Sequence, residues 1–127
     1  MNRFFWICLG GAAGTGARYL VTLGSIAILG AGFSWGTLAI NVIGSFFLSA
    51  LLHVALATRL VGETARLALG VGVLGGFTTY STFNAETLGY LRDGAWRLGV
   101  ANVAATVILC LAAGVAGLAA ARWIVGA

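Results

Sequence analysis

The sequence predicts an all-α membrane protein with four transmembrane helices, the third of them broken near its middle. Composition is the first reason. Of 127 residues, 61% are hydrophobic and only 8% charged, and the mean hydropathy is +1.04. A soluble domain carries about 25% charged residues, so most of this surface must face lipid. The second reason is length: four apolar runs each reach the roughly 20 residues that a helix needs to cross the hydrocarbon core. None of them alternates polar and apolar at every second position, as a barrel strand would. The third reason is the stretch GGFTTYSTF, residues 75–83. It places adjacent glycines, a cluster of hydroxyls and three aromatic rings inside an otherwise apolar run.

Taken in order, the first span covers about 4–29 and contains GGAAGTGAR. Arg3 followed by an apolar core imitates a secretory signal, but the run continues to about residue 30, so it reads as a membrane helix. The second span covers about 35–57, the third about 67–91 and the fourth about 96–121. Proline is absent and glycine is abundant, at 20 residues, so glycine must do any helix breaking. The connectors are short, which predicts a single transmembrane domain over 1–127 and no separate extramembrane domain.

Several function classes are disfavoured. The net charge of +4 comes from seven scattered arginines with no lysine and no basic cluster, so no nucleic-acid partner is expected. Cys8 and Cys110 lie in apolar runs without a CxxC partner and are read as reduced. GVGVLG (Gly70 to Gly75) fits GxGxxG, but no strand or βαβ unit surrounds it. Without a phosphate loop, HExxH or paired carboxylates, nothing points to an enzyme. Orientation is weakly encoded. Arg3, Arg59, Arg66 and Arg122 fall on one side, against Arg92, Arg97 and, by depth, Arg18 on the other. So weak a bias fits either one fixed orientation or insertion both ways up, in which case opposed copies can pair as an antiparallel dimer.

Polar residues recur at a spacing of four, which places them on one helical face. In the second span these are Thr37, Asn41, Ser45, Ser49 and His53; in the fourth, Asn102, Thr106, Cys110 and Gly114; in the first, Gly10, Gly14 and Arg18. Such seams let helices approach and hydrogen-bond, and the glycines and most serines are read that way. Asn41 either packs or lines a path, because an unpaired carboxamide is costly in hydrocarbon. His53 reads as an interfacial histidine. Arg18 needs a wet vestibule or a partner, and Glu86, the only acid within a span, either pairs with an arginine or faces the same cavity. In GGFTTYSTF, Gly75 and Gly76 permit a break whose carbonyls are tolerated only against protein or water. Tyr80 and Phe83 share a helical face, as do Thr79 with Phe83 and Thr78 with Thr82. Positive ring edges together with uncharged donors can replace a small anion's hydration without holding it too tightly; a packed helix crossing is the other reading.

The motifs GGAAGTGARY, WGTLAINVIGSF and GGFTTYSTFNAET, in that order across four spans, resemble the Fluc (CrcB) family of bacterial fluoride channels. The resemblance implies an antiparallel, dual-topology homodimer in the bacterial inner membrane, passing fluoride passively out of the cell. It implies a fluoride pore at Thr37, Asn41, Thr79, Tyr80, Thr82, Phe83, Thr106 and Cys110, with Arg18 and Glu86 in the vestibule and polar track. It also implies one structural, untransported Na+ held by the backbone carbonyls of Gly75 and Thr78 from both copies. Tyr80 stands where the family more commonly has phenylalanine, and Cys110 where it has serine. The alternative class, a small proton-coupled multidrug exporter, needs an acid in the first span, where this chain has Arg18. A non-transporting scaffold is the third class.

Overall fold

The computed structural model describes residues 2–126, and its secondary structure is helical throughout. Three helices are long and apolar enough to cross a membrane: α1 (Asn2–Leu29), α2 (Trp35–Ala57) and α6 (Trp96–Val125). At 1.5 Å per residue they measure about 42, 35 and 45 Å, more than the ~30 Å hydrocarbon core. The chain between α2 and α6 is subdivided. It runs through α3 (Glu63–Leu67), a π-helical stretch (Ala68–Leu74), α4 (Gly75–Phe77) and α5 (Tyr80–Arg92). Thr78 and Thr79 between α4 and α5 are extended, at φ −80°, ψ 160° and φ −155°, ψ 119°.

This placement differs from the expectation that Gly75 and Gly76 form the break. Both glycines are helical, and the two threonines after them leave the helix. For Gly76 the reason is packing. A Cβ at Gly76 would lie 2.7 Å from the Gly11 carbonyl oxygen, and one at Gly72 would lie 2.8 Å from that of Ile7. The glycines are needed so that α1 and this segment can meet backbone to backbone. Helical spacing consequently does not relate Thr78 to Thr82 or Thr79 to Phe83, since extended residues intervene. Thr79 instead caps α5, its hydroxyl accepting the Thr82 amide at 3.2 Å.

The small-residue seams lie at the helix contacts. Gly10 and Gly14 of α1 press on the π-helical stretch, where a Cβ at Gly10 would come 2.5 Å from the Ala68 carbonyl oxygen. A Cβ at Gly14 would overlap the Val73 carbonyl. Gly117 of α6 meets the Phe46 backbone of α2, and Gly99 of α6 meets the Leu91 side chain of α5. The turn from α5 to α6 is tight. Gly94 adopts φ +75°, and the Ala95 amide reaches back to the Tyr90 carbonyl at 2.8 Å, a glycine-terminated helix end. At the opposite end of the molecule Arg3 pairs with Glu63 at 2.8 Å, joining the starts of α1 and α3 across a half-exposed surface.

Little apolar material is enclosed. Leu38, Ile40, Phe83 and Ala121 are the buried hydrophobic residues. Leu20, Phe47, Leu56, Ile108, Leu111 and Trp123 all point outward. So many outward apolar side chains fit a chain solvated by lipid, by another protein surface, or by both.

The packing distances separate two otherwise similar glycines. Gly14→Val is expected to drive its side chain into the backbone of the π-helical stretch and cost about 1–3 kcal/mol or more. Gly24→Val meets nothing within 4 Å and is expected to be neutral. Recovery and melting of the two variants in detergent, followed by size-exclusion chromatography, checks this; equal stability would mean that the α1 contact is slack.

Candidate functional site

The site is organised by Asn41, about two turns into α2. Its carboxamide faces the extended residues and uses both of its ends. Nδ2 donates to the Thr79 carbonyl at 2.9 Å, and the Thr79 amide donates to Oδ1 at 2.8 Å. The side chain thereby replaces the neighbouring strand or helical turn that this backbone lacks. The diverted bonds have a consequence one turn back. In a continuous helix the Thr79 amide would close on the Gly75 carbonyl, and the Thr82 amide on the Thr78 carbonyl. Here the first goes to Asn41 Oδ1 and the second to Thr79 Oγ1. The Gly75 and Thr78 carbonyls are thus relieved of their regular partners. Hard oxygen atoms of this kind suit a sodium ion, so the residues present fit that group.

Four cavities follow one another around Asn41 and Thr79. The central groove, about 450 Å³, is lined by Asn41, Thr79, Tyr80, Phe83, Thr106 and Cys110 among others. Thr79 also lines a second cavity of about 300 Å³ that holds Arg18, Thr22, Thr37 and Thr82. Thr22 and Thr37 continue into a third, about 280 Å³, reached by Glu86, Tyr90 and Asp93. In the other direction Ser45 and Cys110 lead from the groove into a fourth, about 640 Å³, lined by Ser49, His53 and Gly114. Consecutive cavities share lining residues, so a line of polar side chains runs from Asp93 to His53.

The pore, vestibule and cation-site residues named from the sequence, Gly75 excepted, each line one of these cavities. Thr37 is buried and donates to Glu86 Oε1 at 2.8 Å. Glu86 therefore faces the cavity without an arginine, and its other oxygen, Oε2, is enclosed with no hydrogen-bond partner. Arg18 is half-buried in the adjoining cavity. Phe83 is 8% exposed, whereas Tyr80 is 78% exposed, its ring 5.6 Å from that of Phe83 at an interplanar angle of 57°. Thr79 Oγ1 meets Thr82 Oγ1 at 3.0 Å. The Thr106 hydroxyl is buried without a partner, and Cys110 is half-buried as a free thiol. Gly75 is exposed beside the break. The N-terminus of α5 opens at Thr79 and Tyr80, which adds the positive end of a helix dipole next to the groove.

Two features had no signature in the sequence. Asn102, read as one step in the seam of the fourth span, points instead at α5 and donates to Thr87 Oγ1 at 2.9 Å. Ser34 and Tyr90 share a hydrogen bond of 2.9 Å across 56 positions. A spacing of four can mark a polar face, but it cannot name the residue on another helix that will meet it.

A helical membrane protein spanning the bilayer more than once, with a buried polar line beside an interrupted helix, is the class these observations define. The family model described as "CrcB-like protein, Camphor Resistance (CrcB)" matches residues 5–118, and the chain belongs to this family. It is 52% identical over 122 residues to the "Fluoride-specific ion channel FluC" of Sorangium cellulosum (strain So ce56), covering 96% of both chains. It is 47% identical over 122 residues to the protein of the same name from Geobacter sulfurreducens, covering 96% of this chain and 98% of that one. With the one from Anaeromyxobacter dehalogenans it is 44% identical over 126 residues, covering 99% and 100%.

Asn41→Leu is expected to strip the Thr79 amide and carbonyl of their partners, at about 1–3 kcal/mol for each group left unpaired. Hydrogen exchange in bilayer discs would then accelerate at residues 78–79 while α6 stays protected. Unchanged protection at those positions would show that the carboxamide is not what holds the break.

Proposed function

We propose that this chain is a fluoride-selective channel of the bacterial inner membrane, passing the anion passively down its electrochemical gradient. Hydrogen fluoride crosses membranes uncharged and dissociates in the cytoplasm, so the anion left behind needs a route out. The observation that carries this reading is the grouping of Asn41, Thr79, Phe83, Thr106 and Cys110 around one groove, in a chain whose relatives are named fluoride-specific ion channels. Two of these groups act as uncharged donors. Asn41 commits one Nδ2–H to Thr79 and keeps the other. The Thr106 hydroxyl is without a partner. The Phe83 ring adds a positive edge, and the α5 N-terminus adds a partial positive charge. None of these is a full cation, so the ion is desolvated without being trapped. Arg18 in the adjoining cavity would concentrate anions at the approach.

In this reading the segment from Glu63 to Arg92 is the third of four spans and is broken at Thr78 and Thr79. The groove is completed by a second, oppositely oriented copy. Two features support that arrangement: Tyr80 projects from the groove almost fully exposed, and the arginine bias is too weak to enforce one orientation. Gly75 and Thr78 would hold a structural sodium through their freed carbonyls; bound there, the ion would supply positive charge that neutralises converging backbone dipoles. The drug-exporter alternative is disfavoured because α1 carries Arg3 and Arg18 and no acid.

The test is fluoride-electrode efflux from proteoliposomes, compared with chloride efflux. Fluoride is expected to leave rapidly and chloride to stay; equal fluxes, or none, would sink the reading. Phe83→Ile removes the ring edge and is expected to cut fluoride flux by about tenfold, equivalent to roughly 1.4 kcal/mol in the barrier, with the dimer still assembled. Replacing sodium by a large organic cation during purification is expected to lower flux or loosen the dimer. Flux and assembly that are both indifferent to sodium would remove the ion from this account.

A further inference from the structure

Within that reading, we infer that Asn102 is a positioning residue: through Thr87 it sets where the Phe83 turn of α5 stands against α6, and so the width of the groove. The two side chains form a short relay. Asn102 Nδ2 donates to Thr87 Oγ1 at 2.9 Å, and Thr87 Oγ1 donates to the Phe83 carbonyl at 2.8 Å. The direction of the relay is fixed. The Thr87 proton is spent on the Phe83 carbonyl, so its oxygen can only accept, and the carboxamide must present its NH2 end. All three residues are enclosed, with Asn102 at 1% exposure and Thr87 and Phe83 at 8%.

A hydroxyl bonded to the carbonyl four residues back is common in membrane helices and carries no function by itself. The grip from α6 gives this one a consequence. On its α2 side, the segment from Thr79 to Tyr90 is tied by Asn41 to Thr79, by Thr37 to Glu86 and by Ser34 to Tyr90. On its α6 side, the bond from Asn102 is the one side-chain hydrogen bond among the described residues. The antiparallel pair α5 and α6 meets in successive rungs. Leu91 faces Gly99, Thr87 faces Asn102, and one turn further Phe83 and Thr106 line the groove together. The middle rung therefore sets the register of the last. Without it, the side-chain hydrogen bonds that tie α5 to other helices all come from its α2 side, and the Phe83 turn can roll on its remaining packing against α6, carrying the ring out of line with Thr106. The buried Oδ1 of Asn102 has no partner, which is costly for a group serving only as filler.

Fluoride and chloride efflux of Thr87→Val, Thr87→Ser and Asn102→Ala proteoliposomes tests this against wild type. Thr87→Ser keeps the hydroxyl and is expected to stay within about twofold of wild-type fluoride flux. Thr87→Val and Asn102→Ala are expected to fall by about fivefold or more, with a lower fluoride-to-chloride ratio and a normal dimer peak. If Thr87→Val does not fold, Asn102→Ala carries the same comparison, since it leaves the Thr87 bond to Phe83 in place. Folded variants with the flux and selectivity of wild type would overturn the inference, as would Thr87→Ser falling as far as Thr87→Val. If neither variant folds while Thr87→Ser does, the pair is a folding element and positioning is likewise refuted. Absence of fluoride flux in the wild-type protein would instead count against the channel reading itself.

Discussion

The exchange between the Asn41 carboxamide and the Thr79 backbone is the interaction on which the rest of the structure depends. Extended backbone at membrane depth leaves a donor and an acceptor that lipid cannot satisfy. One side chain supplies both missing partners, at 2.8 and 2.9 Å. The carboxamide is the natural choice because it carries a donor and an acceptor on one planar group. Once Thr79 is held, its hydroxyl is free to cap α5 and the Gly75 and Thr78 carbonyls lose their regular partners. The cap, the break and the candidate cation ligands are consequences of one contact.

Helix packing is arranged so that this contact can form. Gly44, one turn beyond Asn41 on α2, has no side chain because the Thr78 methyl occupies that space. The glycines of α1 let the π-helical stretch approach at backbone distance. A π turn widens the helix and adds a residue per turn, which shifts the residues after it and helps bring Thr78 and Thr79 opposite Asn41. The small residues therefore act at a distance from any ion. They place the broken segment between α1 and α2, where its polar groups meet protein.

The sequence made the number of apolar runs, their limits and the polar seams legible because hydropathy and a period of 3.6 are local properties. Three of the four runs form single long helices within a few residues of the expected bounds. The third does not, because its conformation is decided by partners on other helices. Gly75 and Gly76 looked like breakers from their intrinsic freedom, yet both stay helical, Gly76 packed closely on α1, and Asn41 draws Thr79 out instead. Asn41 was identifiable as an expensive polar group that required an explanation. That it would spend one N–H and its carbonyl on backbone 38 positions away was not. The Asn102 to Thr87 bond was hidden for the same reason, since a polar seam reveals a face and not its opposite number.

Tyr80 and Cys110, which the resemblance singles out as departures, can be weighed by where they stand. Tyr80 lies at the rim, 78% exposed, with its ring tilted against Phe83. Its hydroxyl therefore extends away from this chain's own groove, and its influence on an ion depends on what covers that rim. Cys110 sits at the junction of two cavities. A thiol there is a weaker donor than a hydroxyl, while the Thr106 hydroxyl one turn away has no partner. In a site that must release its ion, a weak donor following a strong one lowers the depth of binding at the second position more than at the first. In the proposed channel Thr106 and Cys110 would therefore give one stronger and one weaker resting place rather than two of equal strength, a difference that sets occupancy and not the direction of passive flow.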